Sequence, residues 1–315
     1  MSMPTQHLFA DAAGVTRAAG LLSDGALVAF PTETVYGLGA LATDDRAVAE
    51  IFAAKGRPTF NPLIVHVADV DAARSIADFG ANADRLASAF WPGPLTLVAP
   101  VRAGSGISKL VTAGLETVAV RVPAAPVAQD LLHAVRGPVA APSANPSGRV
   151  SPTQAQHVLD GLGGRIAAVL DGGPCTVGLE STIIVADPVP QLFRAGGLPV
   201  EAIEACLGVP LALPAASNTV TAPGQLASHY APAASLRLNA TEPRAGETML
   251  GFGAVAGDLT LSRTGDLIEA AANLFGHLHD LDARGVAQIA VAPIPNTGFG
   301  RAINDRLARA AAPRG

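Results

Sequence analysis

Residues 29–67 read AFPTETVYGLGALATDDRAVAEIFAAKGRPTFNPLIVHV, and the fold is decided in this stretch. An apolar strand-like run, Ala26 to Phe30, leads into it. A turn dense in hydroxyls and glycine follows: Thr32, Glu33, Thr34, Tyr36, Gly37 and Gly39. The spacing of Val48, Ile51 and Phe52 predicts a helix from Thr43 to Ala54, with Thr43 or Asp44 as N-cap. Lys55-Gly56-Arg57-Pro58 stops that helix, and Leu63 to Val67 reads as a second strand. Both cations therefore sit on a loop held by a helix and a strand, where functional side chains are usually placed. Cations just past a helix end are also favoured by the helix dipole alone. The lysine is the more telling residue. Of 21 basic side chains only Lys55 and Lys109 are lysine, so a lysine beside glycine suggests a position that wants a compact ammonium.

Composition sets the outer limits. At 315 residues the chain is long for one core, and two domains are expected. Hydrophobic residues make up 49% and charged residues 15%, which is globular rather than disordered. No apolar run approaches the roughly 20 residues needed to cross a bilayer. The start, MSMPTQHLFADAAG, lacks a basic segment followed by an apolar one, so no secretion signal is expected and the cytoplasm is the simplest home. The two cysteines, Cys175 and Cys206, form no CxxC, which argues against a zinc site or a disulfide scaffold. A formal net charge of −5 argues against tight sequence-independent nucleic-acid binding.

Going outward along the chain, residues 7–24 read as an amphipathic helix and residues 69–90 as another. Trp91-Pro92-Gly93-Pro94 breaks the second, and Trp91 reads as packing. Leu115 to Val122 is strand-like, and an arginine alternating within it, Arg121, must face a polar side or a pocket. A polar loop from Pro142 to Thr153 carries Ser143, Asn145 and Ser151, although serine there also suits turns and caps. Gly178-Leu179-Glu180-Ser181-Thr182 leads into a strand, and Phe193-Arg194-Ala195-Gly196-Gly197 closes another. Residues 209–235 are rich in Pro, Ala and Ser and read as a linker. It holds one oddity, His229-Tyr230-Ala231-Pro232, since linkers rarely keep aromatics without a docking surface. Residues 236–315 alternate strand, helix, strand and helix, with the last helix placed at Asn304 to Ala312; that order suggests a parallel, Rossmann-like unit.

The polar loops hold cations and hydroxyls but few acids, chiefly Glu33 and Glu180. That set suits binding an anion better than acid–base work by paired carboxylates. GxSxG and Walker A sequences are absent, so a phosphate ligand would be held by loop amides, hydroxyls, Lys and Arg.

The ordered motifs PTETVYGLGA, KGRP…NPLIVHV, SAN with SGRVSPT, GLESTI and HYAP resemble the threonylcarbamoyl-AMP synthase family in its long form. The resemblance implies a YrdC-like catalytic domain over residues 1–208, a twisted mixed α/β sheet with flanking helices. A linker or lid over 209–235 and a small α/β domain over 236–315 would follow. It implies condensation of L-threonine, bicarbonate and ATP, with Mg²⁺, to threonylcarbamoyl-adenylate and pyrophosphate. The product would feed downstream tRNA threonylcarbamoyl transfer beside the anticodon. By similarity Lys55, Arg57, Ser143 and Asn145 would surround the phosphates, with Lys55 and Arg57 as the catalytic cations. Asn61, Thr117, Ser151, Arg194 and Tyr230 would complete the ATP side. Thr34, His66, Arg121, Ala141 and Ser181 would hold threonine, with Arg121 pairing its carboxylate. Two departures stand out. Ala195 replaces a proline frequent in the family, and Gln225 to Ser228 replace the basic and aromatic residues that usually precede the linker histidine. Two other readings are a carbamoyl-adenylate enzyme of the hydrogenase-maturation kind and an RNA-binding module. The cysteine count opposes the first and the acidic charge the second.

Overall fold

The structure is a computed structural model, and it describes residues 4–214 and 229–313. In chain order the first part runs β1 (Gln6–Phe9), α1 (Ala12–Ser23), β2 (Val28–Phe30), β3 (Gly37–Leu41), α2 (Asp45–Lys55), β4 (Ile64–His66), α3 (Val70–Ile76), α4 (Ala81–Phe90) and β5 (Leu95–Pro100). It continues with β6 (Thr117–Arg121), α5 (Pro126–Val135), β7 (Val139–Ala140), α6 (Ala155–Leu162), β8 (Ala168–Asp171), β9 (Thr182–Val185), β10 (Gln191–Arg194) and α7 (Val200–Leu207). These strands form one mixed sheet in the order β1-β8-β2-β3-β7-β4-β6-β5-β9-β10. The last part comprises β11 (Ser235–Arg237), β12 (Thr248–Gly251), β13 (Leu259–Thr260), α8 (Leu267–Ala283), β14 (Gln288–Val291) and α9 (Phe299–Ala311). Its sheet, β11-β14-β12-β13, is wholly parallel, as its strand–helix order requires.

Alternation along the central strands sorts core from site. In β6, Val118 and Val120 enter the main core while Ala119 and Arg121 take the opposite face. In β4, Val65 enters the core, and His66 lies in register with Arg121. One face of the large sheet is thus covered by helices through an aliphatic core. On the other face α1 and α5 cover β8, β2 and β7 through a separate core that includes Val28, Phe30, Val139 and Leu170, and polar groups surround a small cluster of Ile64, Val98, Ala119 and Ile183 farther along the sheet. A second core in the C-terminal unit takes in Val35, Val150, Leu179 and Tyr230 from outside it, which fastens that unit over the polar face.

Some sequence expectations need correction. Residues 7–9 belong to β1, paired in parallel with β8, because an apolar Leu8 next to helix α1 mimics one more helical turn. The helical stretch 69–90 is two helices, separated at Ala77–Gly80. Gly37 to Leu41, read as part of a turn, is a strand. Its glycines are required by contact: a Cβ on Gly39 would come within 3.0 Å of both Phe30 and Val139 side chains. The last helix begins five residues early, at Phe299 rather than Asn304. Residues 225–228, one of the noted departures, lie outside the described residues.

Candidate active site

Helix α2 delivers the two cations. Asp44 caps its N-terminus by accepting from the Arg46 and Ala47 amides, so Asp44 rather than Thr43 is the cap. Gly56 ends it in the left-handed region, φ 60°, and its N–H returns to Phe52 and Ala53 carbonyls. That reversal turns Lys55 and Arg57 inward, and both are buried. Lys55 Nζ donates to the Ser143 carbonyl at 2.5 Å and to the Asn145 carbonyl. Arg57 donates from Nε to the Asn61 carbonyl at 3.3 Å and from Nη2 to the Pro62 carbonyl at 3.0 Å. Their partners are neutral carbonyls, so their charge is retained for an anion. Burial pulls Lys55 well below its ordinary value, with Arg57 adding to the effect, and pulls Arg57 down to about 10.

The loop from Pro142 to Thr153 is pinned on both sides. Leu38 N–H donates to the Pro142 carbonyl at 2.7 Å, Ala144 N–H to Tyr36 at 2.8 Å, and Ser147 N–H to Lys55 at 2.8 Å. At the far edge a register shift between Leu192 and Arg194 places Arg194 opposite Ile183 on the polar face. Arg194 donates to the Ser181 carbonyl from Nε and Nη2. Gly196 explains part of the FRAGG sequence: a Cβ there would lie 2.2 Å from the Glu180 carbonyl. Arg121 donates to Thr34 Oγ1 at 2.8 Å, Glu33 Oε1 at 2.5 Å and the Gly93 carbonyl at 3.2 Å. Its fork of five donors keeps one hydrogen on each terminal nitrogen for a ligand. His66 stands edge-on to Phe30, and burial, with Arg121 behind it, lowers it to about 3, so it is a neutral imidazole.

These groups line one pocket, formed by Thr34, Arg57, His66, Arg121, Ala141, Ser143, Ser181, Arg194, His229 and Tyr230 among others. Tyr230 seats itself in the mouth, 1% exposed, with φ 61°. Such a conformation costs a non-glycine residue about 1–2 kcal/mol and is held here by packing against Phe275 and by the Ala231 N–H bond to Gly148. About 50 Å³ of free space remains, room for a few waters and far below the roughly 300–1,000 Å³ of ligand pockets.

A family model described as telomere recombination, for the Sua5, YciO and YrdC proteins, matches residues 20–196. A second, described as the C-terminal domain of threonylcarbamoyl-AMP synthase, matches residues 198–312. Threonylcarbamoyl-AMP synthase of Bacillus subtilis is 41% identical and aligns over 98% of this chain and 96% of its own length. That of Pyrococcus abyssi is also 41% identical, over 93% and 92%. The chain belongs to the threonylcarbamoyl-AMP synthase family. The crystal structure of Pyrococcus abyssi Sua5 complexed with L-threonine superposes with a TM-score of 0.89 at 39% identity, covering 98% of this chain and 97% of that one. As a member of the threonylcarbamoyl-AMP synthase family the chain is an ATP-using, nucleotidyl-transferring enzyme.

Within this member of the family, the expected site residues fall into two layers. Thr34, Arg57, His66, Arg121, Ala141, Ser143, Ser181, Arg194 and Tyr230 line the pocket. Lys55, Asn145 and Ser151 stand behind it: Lys55 and Asn145 through the Ser143 loop, and Ser151 through its 2.5 Å donation to Glu180. Asn61 is fully buried, its amide oxygen and nitrogen both without partners. Thr117 lies at the far end of β6, opposite Pro100 and away from the pocket lining, so the alternation that aims Arg121 does not bring it in. Sequence reasoning missed Arg306, which reaches Glu180 from α9 at 2.8 Å. Thr32, read as part of the polar turn, also lines the pocket; it donates to the Val35 carbonyl at 2.7 Å and accepts from the Thr34 and Val35 amides, which shapes the turn.

Proposed function

We propose that the chain condenses L-threonine, bicarbonate and MgATP into threonylcarbamoyl-adenylate and pyrophosphate. The observation that carries this reading is the convergence of Arg57, Ser143 and Arg194 with Arg121, Thr34, His66 and Ser181 on one hollow. Two anions must meet there. The amine of threonine and bicarbonate first give a carbamate, with loss of water. A carbamate oxygen then attacks the α-phosphorus, and the bond to the β-phosphate oxygen breaks. The barrier is mostly charge repulsion and positioning, so preorganised cations suffice and no protein nucleophile is needed.

The roles follow from place. Arg121 offers its two remaining hydrogens to the threonine carboxylate, and Thr34 and Ser181 present hydroxyls near it. The neutral His66 ring can accept from the threonine hydroxyl. Lys55 and Arg57 give up carbonyl oxygens for phosphate oxygens, joined by Arg194, Ser143 and Asn145. Asn61, Thr117 and Ser151 belong to the nucleotide side of this reading. His229 and Tyr230 withdraw to admit MgATP and then cover it.

Among the described residues no group of three or more His, Cys, Asp or Glu could hold a metal ion. Both acids at the site are already ion-paired, Glu33 to Arg121 and Glu180 to Arg306. Mg²⁺ is therefore taken as part of the substrate, held by phosphate oxygens, where it neutralises charge. We read residues 1–208 as the catalytic domain, 209–235 as linker and lid, and 236–315 as the small domain. Among the described residues no helix is long and apolar enough to cross a membrane; the reading places the enzyme in the cytoplasm, supplying tRNA threonylcarbamoyl transfer. Incubation with MgATP, threonine and bicarbonate should yield threonylcarbamoyl-adenylate by mass spectrometry. Pyrophosphate release that does not depend on threonine would reject the reading.

A further inference from the structure

Glu180 is the one carboxylate among the described residues that line the pocket. In a hollow otherwise set for an anion, it is out of place. Its surroundings show what offsets it. It is 6% exposed, and both oxygens are engaged. Oε1 accepts from Ser151 Oγ at 2.5 Å, and Oε2 accepts from Arg306 Nε at 2.8 Å. Arg306 comes from α9, 126 residues away in sequence, and is 1% exposed. Its guanidinium carbon lies 5.0 Å from the centre of the Tyr230 ring, within cation–π range. Nη1 is held by the neighbouring Asp305 at 2.6 Å, and Nη2 is buried with no partner.

We propose that Arg306 is a positioning residue of the nucleotide site: it neutralises the Glu180 carboxylate and seats the Tyr230 ring. A buried arginine that lost this partner would be costly, and a buried carboxylate that lost it would face the incoming triphosphate as a bare like charge. The same carboxylate orients Ser151, so one guanidinium from the C-terminal unit sets the charge and geometry of a pocket wall belonging to the other unit. The C-terminal unit is thereby part of the site and more than a support for the linker. Held low by Arg306 and Arg194 against the opposing effect of its burial, Glu180 stays ionised, so its charge has to be balanced rather than removed.

The inference rests on reading this pocket as the MgATP site, and the experiment separates the two. The full chain is compared as wild type, Arg306→Met, Arg306→Lys, Glu180→Gln and the double variant Arg306→Met with Glu180→Gln. MgATP affinity is measured by equilibrium titration, and KM for ATP, KM for threonine and kcat by pyrophosphate release. Arg306→Met should weaken MgATP about tenfold or more while KM for threonine at saturating ATP stays within about twofold. The double variant removes both charges and should return to within about threefold of wild type, as should Arg306→Lys. A folded Arg306→Met with wild-type MgATP affinity overturns the proposal. So does a double variant as weak as Arg306→Met, because the loss would then be structural. Should Arg306→Met not fold, tenfold weakening in either Arg306→Lys or the double variant overturns it instead. Wild-type protein that fails to bind MgATP would reject the underlying site assignment.

Discussion

Arg121 and Glu33, 88 residues apart in sequence, meet as a buried ion pair with Nη2 2.5 Å from Oε1. The second oxygen of Glu33 accepts from the Ala124 and Ala125 amides, so the carboxylate is fixed before it fixes Arg121. Breaking a buried pair by removing one charge leaves the other uncompensated. Glu33→Gln should therefore cost on the order of 3 kcal/mol in denaturant unfolding and raise KM for threonine more than KM for ATP. A change below about 0.5 kcal/mol would show that the guanidinium holds its place without the pair.

Lys55 gives a pH prediction with a definite sign. Burial and Arg57 lower its affinity for the proton. A triphosphate beside it would raise that affinity again. MgATP binding should thus take up a proton at pH values above the lowered value of Lys55, and MgATP affinity should fall as pH rises through that value. Calorimetry in buffers of different ionisation enthalpy measures this uptake. Lys55→Met should abolish it, and equal uptake in that variant would assign the proton elsewhere.

Two buried imidazoles, His66 and His229, and two half-buried ones, His157 and His279, set the acid limit of stability. Burial is the leading cause throughout: it brings His66 and His229 to about 3 and His157 to about 4, and it lowers His279. The folded values lie below the unfolded ones, so the unfolded chain binds more protons in between. Stability should be full above about pH 6.5 and fall as pH drops from there toward about 3. His157 and His279 stack with centroids 3.8 Å apart, one on α6 and one on α8, so His157→Gln should flatten the curve between about pH 6.5 and 4. An unchanged slope of melting temperature against pH would remove His157 from the account.

Tyr230 is buried among the pocket residues, and the reading above has it cover bound nucleotide. Tyr230→Ala should speed association of a fluorescent MgATP analogue and speed its dissociation more, by about tenfold in stopped-flow mixing. Rates equal to wild type would reduce the linker to a tether.

Much of this was legible in the sequence, for identifiable reasons. Arg121 alternates with valines in a strand, and period two leaves only a polar face for it. Gly56 after Lys55 announced the helix end that turns both cations inward. Tyr230 was conspicuous as an aromatic among small residues, and it is docked. Other features had no local signal. Arg306 sits between Asp305 and Leu307, and its neighbours Asp305 and Arg309 pair along the helix as on any solvated face. Only the packing of the C-terminal unit around Val35, Val150 and Leu179 brings it to Glu180. The β1 strand was masked by the helix that follows it, since its two apolar residues, Leu8 and Phe9, fit either period.

The most direct test compares threonine-dependent pyrophosphate release by wild type with that of Lys55→Ala and Arg57→Ala, each checked for a cooperative melt. Losing one charge-assisted phosphate contact is expected to cost about 2–4 kcal/mol, roughly 30- to 1,000-fold in rate. The account predicts that both folded variants lose nearly all release; wild-type turnover in both would contradict it.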